Sequence, residues 1–101
     1  MGLIFYIFAH YNLFMNKEEQ LFAQLLYIFH SSGMQGLGKV MNPVTNKIDR
    51  NLEQAKQSID MLEMLRDKTK GNLSPESERL LSQFLSDLRL NYVDEVNNNK
   101  A

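Results

Sequence analysis

Few residues in this chain are equipped for chemistry, and their spacing argues against most reactions open to those residue types. None of the 101 residues is a cysteine, so a nucleophile would have to be a serine activated by a neighbouring base. Ser31, Ser32, Ser58, Ser74, Ser77, Ser82 and Ser86 have only His10 and His30 to draw on. His30 closes the aromatic run of an amphipathic helix, where a hydrogen-bonded packing role is the ordinary one. Two distant histidines and scattered carboxylates give no zinc-like ligand spacing, and the Glu-x-x-His repeat of di-iron bundles is missing. Asp60, Glu63 and Asp67 share one side of a helix, as a solvated face does. Gly33-Met34-Gln35-Gly36-Leu37-Gly38 has no Lys-Ser/Thr ending and follows a helix instead of a strand, so it reads as backbone punctuation, not a phosphate loop. The expectation is a chain with no catalytic residues, no cofactor and no metal, and hence no enzyme.

One local basic feature remains, Lys68 and Lys70 beside Asn72, with Lys39 and Lys47 as possible neighbours. Capping accounts for two lysines at a helix end; contact with RNA phosphates is the functional alternative. The whole chain balances 11 Lys and Arg against 12 Asp and Glu, which lacks the basic excess of a dedicated nucleic-acid binder.

From Lys17 onward the periodicity is helical, and the expected fold is all-α: an amphipathic first helix followed by a C-terminal antiparallel αα-hairpin. In the first helix, about 17–37, the rows Leu21/Leu25/Ile28 and Phe22/Leu26/Phe29 make an apolar arc too wide for one neighbouring helix to cover. Gly33 and Gly36 lower its propensity near the end, where Gly38 can cap it. Residues 39–50 read as a connector turning at Asn42-Pro43. The second helix, about 51–70, begins after Asp49 or Asn51, with Gln54 placed as in a capping box. Leu52, Ala55, Ile59, Leu62 and Leu65 form its core stripe, flanked by Met61 and Met64. Lys68 and Lys70 complement its negative end and Gly71 supplies a left-handed stop. Ser74 then caps a third helix, about 75–96, with Pro75 in its first turn; this helix carries Leu80, Leu81, Phe84, Leu85, Leu88, Tyr92 and Val96.

The link Gly71-Asn72-Leu73-Ser74 is too short for anything but an antiparallel return, with Leu73 plugging the turn. That register places Asp60 near Arg89 and predicts an ion pair between them. The surplus apolar surface, Phe22, Leu25, Leu26 and Phe29 with Met61 and Met64, is the candidate interface. The polar tail 97–101 is expected to fray.

The first fourteen residues differ in kind. They carry no charge, and Phe5, Tyr6, Phe8, Tyr11 and Phe14 are half of the chain's aromatics. The apolar run from Gly2 to Ala9 is less than half of the roughly 20 residues a spanning helix needs, and neither a basic start nor a cleavage motif marks a signal peptide. Met15-Asn16-Lys17 opens the amphipathic part abruptly and reads as a natural start, so the expectation is that translation begins at Met15, which leaves residues 1–14 as a mis-assigned extension and 15–96 as the domain, with membrane anchorage by residues 1–14 as the alternative.

The run Asn42-Pro43-Val44-Thr45, the stretch Leu52 to Leu62, the block Lys68-Thr69-Lys70-Gly71-Asn72-Leu73 and the closing Leu88-Arg89-Leu90-Asn91-Tyr92 resemble the bacterial family catalogued as domain of unknown function 1844. The likeness covers roughly Glu19 to Glu95. It implies a small fold of the bacterial cytoplasm beginning near Met15, and it implies no activity, cofactor or catalytic residue.

These readings converge on a cytoplasmic, non-enzymatic interaction module that self-associates as a dimer or binds another protein. A ribosome- or RNA-associated accessory protein and a peripheral membrane protein are the competing expectations.

Overall fold

The computed structural model describes residues 16–100, which form three helices: α1 (Lys17–Gly36), α2 (Leu52–Lys68) and α3 (Pro75–Lys100). The expected extension 1–14 and the start at Met15 lie outside the described residues. Each helix begins where a side chain satisfies first-turn amides. At α1 the Glu19 amide donates to Asn16 Oδ1 at 2.8 Å while Glu19 reaches back to the Asn16 amide, a closed capping box. At α2 the cap is Asn51, whose Oδ1 accepts from the Gln54 amide at 3.2 Å. The box expected there stays open, because the Gln54 amide group donates instead to the Ser32 carbonyl at 2.9 Å and ties α2 to α1. At α3 the Ser74 hydroxyl accepts from the Ser77 amide at 3.2 Å, with Pro75 in the first helical position as predicted.

The helix ends follow backbone logic as well. Gly38 (φ +76°) donates to the Gln35 carbonyl and Lys39 to that of Met34, the paired bonds of a left-handed C-terminal stop. The connector turns at Asn42, whose side chain accepts from the Val44 amide and whose backbone pairs with Lys47. After α2, Thr69 caps the last turn and Gly71 (φ +84°) reverses the chain. α3 does not stop at Val96 but continues to Lys100. No Gly or Pro interrupts Asn97-Asn98-Asn99, and Glu95 is anchored by cations of the connector, so the last turns extend from a fixed base.

Polar contacts fix the directions. Ser74 Oγ donates to Glu19 Oε2 at one end, His30 meets Asp87 midway, and Lys39 meets Glu95 at the other. α1 therefore runs parallel to α3, with α2 antiparallel to both. The core between them is Ala23 and Leu26 of α1, Leu37, then Ala55, Ile59 and Leu62 of α2, and Leu80, Leu81, Phe84, Leu85 and Leu88 of α3. Gly36, expected only to weaken α1, is where α1 and α2 touch backbone to backbone: the Asn51 amide donates to the Gly36 carbonyl at 2.8 Å.

Candidate functional site

Two apolar rows compete for the core on α1, and only one wins. Leu26 is fully buried, and Phe22 and Phe29 of the same row pack partly against the core. Leu26 is therefore not an interface residue, as its row suggested. The other row faces outward: Leu21 is 51%, Leu25 38% and Ile28 61% exposed. Beside it, Phe29 of α1 and Met61 of α2 line one shallow depression of about 100 Å³, and Met64, one turn further along α2, is itself exposed. Leu21, Leu25, Ile28, Phe29, Met61 and Met64 thus share the α1–α2 side of the molecule. Leu21 and Ile28 were missed as interface candidates; their 4–3 spacing with Leu25 was the available signal.

The predicted Asp60–Arg89 pair does not form. Arg89 donates to Glu63, and Asp60 turns to Lys56 within its own helix at 3.3 Å. Side chains on a helix lean toward its N-terminus, so Arg89 leans toward the hairpin turn and meets the carboxylate one turn nearer to it. Both members of the pair are partly exposed, so a Glu63→Ala/Arg89→Ala double-mutant cycle is expected to give a coupling of about 0.5 kcal/mol. The corresponding Asp60/Arg89 cycle should give none, in urea unfolding of all four species.

The hairpin tip holds Lys68, Lys70, Gly71, Asn72, Leu73, Ser74 and Pro75 in the expected caps and turn, with Leu73 against the core. Lys39 is not near it. It sits at the far end of α1, 3.2 Å from Glu95, so the cations do not gather into one patch; Arg66 is paired with Asp67.

At that far end Glu95 accepts from Arg50 at 2.9 Å and meets Lys39. The Arg50 hydrogen bond, then that of Lys39, holds the Glu95 carboxyl below its ordinary value of 4.5, against the opposing effect of burial. A carboxyl depressed in the folded chain adds stability above its unfolded pKa and loses it as pH falls through the folded one. Glu95→Gln should therefore be less stable than the parent at pH 7, and the gap should close as pH drops below about 4.5. Unfolding curves at a series of pH values check this; a gap independent of pH would contradict it.

One buried polar contact escaped the sequence reading. His30, 2% exposed, places Nε2 2.7 Å from Asp87 Oδ2, and its ring tilts against Phe84 with centroids 4.6 Å apart. Asp87 Oδ1 also accepts from Asn91. The carboxylate fixes the imidazole and satisfies it, the packing role expected of His30, although Asp87 had not been recognised as its partner. His30 also borders a cavity of about 340 Å³ between α1 and the connector, lined by Tyr27, Ser31, Met34, Gln35, Val40, Met41 and Pro43 as well.

Among the described residues no group of three or more potential ligands is arranged to hold a metal ion. No helix of the described residues is long and apolar enough to cross a membrane.

A family model described as Domain of unknown function (DUF1844) matches residues 19–94. No curated protein and no solved structure matches the chain.

Proposed function

Because the chain belongs to the DUF1844 family, whose description carries no activity, we propose from its own surfaces that it is a non-enzymatic helical interaction module that self-associates. The observation that carries this reading is the outward row Leu21, Leu25 and Ile28, continuous in side with Phe29, Met61 and Met64. Burying that row again in a symmetric pair is its simplest use. A patch of this kind is of the order of 300–600 Å², near the upper end of what a monomer exposes. It falls short of the roughly 800 Å² that each partner gives to a standard interface. A face of that size belongs with weak, transient contacts, for which a concentration series of about 10–100 μM is the relevant range.

Sedimentation velocity over a concentration series spanning that range should show the mass rising from 11.8 kDa toward twice that value. A constant 11.8 kDa species at every concentration would overturn the reading. A cytoplasmic location belongs to the same proposal, in keeping with a chain that has no cysteine and hence no disulfide framework. Contact with RNA through Lys68 and Lys70 has less support, since Asp67, Glu76 and Glu78 lie close in sequence to those lysines. Anchorage of residues 1–14 in a membrane lacks the accompanying basic residues such anchors use.

A further inference from the structure

We propose that the cavity between α1 and the connector is a binding site for a small uncharged aromatic molecule of about two fused rings with a hydrogen-bonding edge. The site is separate from the pairing face. Tyr27, Ser31 and Met34 stand roughly 120° round α1 from the row Leu21, Leu25 and Ile28, at about 100° per residue.

Size sets the first limit on the ligand. The cavity measures about 340 Å³, within the usual range of small-molecule pockets. An apolar hole of roughly 150 Å³ holds one benzene ring, so two fused rings fill this one. The lining sets the second limit. Tyr27, Met34, Val40, Met41 and Pro43 wall the cavity, and no Asp, Glu, Lys or Arg lines it. A charged ligand would shed water there and find no counter-charge, whereas a neutral ring meets two thioethers and an aromatic side chain.

Two polar side chains set the third limit. Ser31 and Gln35, one helical turn apart and half-buried, also line the cavity. Among the described residues neither side chain has a hydrogen-bond partner. A donor on the edge of the ligand would be received by the Ser31 hydroxyl or the Gln35 side-chain carbonyl.

The walls are held by bonds of their own. Asn42 pairs its backbone with Lys47 and accepts from the Val44 amide through its side chain, and Pro43 fixes its own backbone angle. Lys39 and Arg50, at the two ends of the connector, meet Glu95 of α3. On the opposite side the buried His30 ring is fixed by Asp87. Little freedom is therefore left for a ligand to quench on entering, which favours binding.

Indole is the probe. Titrated into the full chain and followed by amide NMR, it should give saturable shifts centred on Tyr27, Ser31, Gln35 and Met41, with a Kd of the order of 1 mM for so small a ligand. Indole-2-carboxylate, the same rings with a charge, should bind about tenfold more weakly. Ser31→Trp, which lays a ring of the chain's own over the cavity, should also weaken indole about tenfold, and Gln35→Leu about threefold through the lost hydrogen bond. Shifts that do not saturate, shifts centred on Leu25, or equal affinity for the two probes would overturn the proposal. So would a folded Ser31→Trp chain that binds indole as the parent does. A parent that binds no indole, while Ser31→Trp loses the rise of mass with concentration, would assign the cavity to a second copy and overturn it as well.

Discussion

Gly36→Ala should lower the free energy of unfolding by about 2 kcal/mol or more, and with it the Tm by roughly 10 °C for a domain of this size. An alanine is worth up to about 1 kcal/mol more than glycine within a helix, so on propensity alone the change would stabilise. Geometry reverses the sign. A Cβ at Gly36 would stand 2.7 Å from the Asn51 carbonyl oxygen and 2.8 Å from the Ala55 nitrogen, both backbone atoms at the start of α2. Neither can move without breaking the Asn51–Gly36 hydrogen bond or the N-terminal cap of α2. Gly33 is the control. Its Cβ would meet Leu88 Cδ2 at 2.7 Å, the end of a side chain that can rotate, with Ser58 Cβ at 3.3 Å. Gly33→Ala should therefore cost less than about 1 kcal/mol after the propensity gain is counted. Thermal unfolding of the two variants decides; equal effects would mean that α1 and α2 are not held at this crossing.

The second large effect falls on the buried histidine. Asp87→Leu should cost about 1–3 kcal/mol, the usual penalty when a buried polar group loses its partner, because His30 is 2% exposed and Asp87 is the side chain that meets its Nε2. Asp87→Asn keeps an oxygen acceptor at the same place and should cost well under half as much. Removing both members, His30→Leu with Asp87→Leu, should recover part of the loss, since no donor is then stranded in the core. Urea unfolding of the three variants measures these differences. If Asp87→Leu and Asp87→Asn were equally mild, the contact would be incidental and His30 would be held by its packing on Phe84 alone.

Both predictions rest on contacts that the sequence kept out of view, and the reason is the same in each. What acts over a few residues was readable: Ser74 and Pro75 at the start of α3, Gly71 in the hairpin turn, Gly38 after α1 and the Asn42 turn all follow from local hydrogen bonding and backbone preference. What acts across the fold was not. Gly36 looks like a weak helix former until Asn51 is seen against it. His30 and Asp87 are 57 residues apart, and nothing in the local pattern of α3 distinguishes Asp87 from a solvated carboxylate. Gln54 had a local capping role open to it and took a tertiary one at Ser32.

The candidate surface shows the same division. The width of the apolar arc on α1 was legible, and it correctly implied more surface than one neighbour could cover. Which row would be buried was not, because that depends on how α2 and α3 approach. Leu26 went to the core, and Leu21, Leu25 and Ile28 stayed outside. The ion pair at Arg89 failed by a single helical turn, the distance by which side-chain lean shifts a register drawn through Cα positions.

The most direct test of the interaction module is sedimentation velocity of the parent beside Leu25→Asp at matched concentration. Leu25 sits at the centre of the outward row, and a carboxylate there leaves the core residues untouched while placing like charges against each other in a symmetric pair. The account predicts a parent whose mass climbs above 11.8 kDa with concentration and a variant that stays at the monomer mass with a closely similar melting temperature. A variant that associates as the parent does would show that this face is not the one through which the protein pairs.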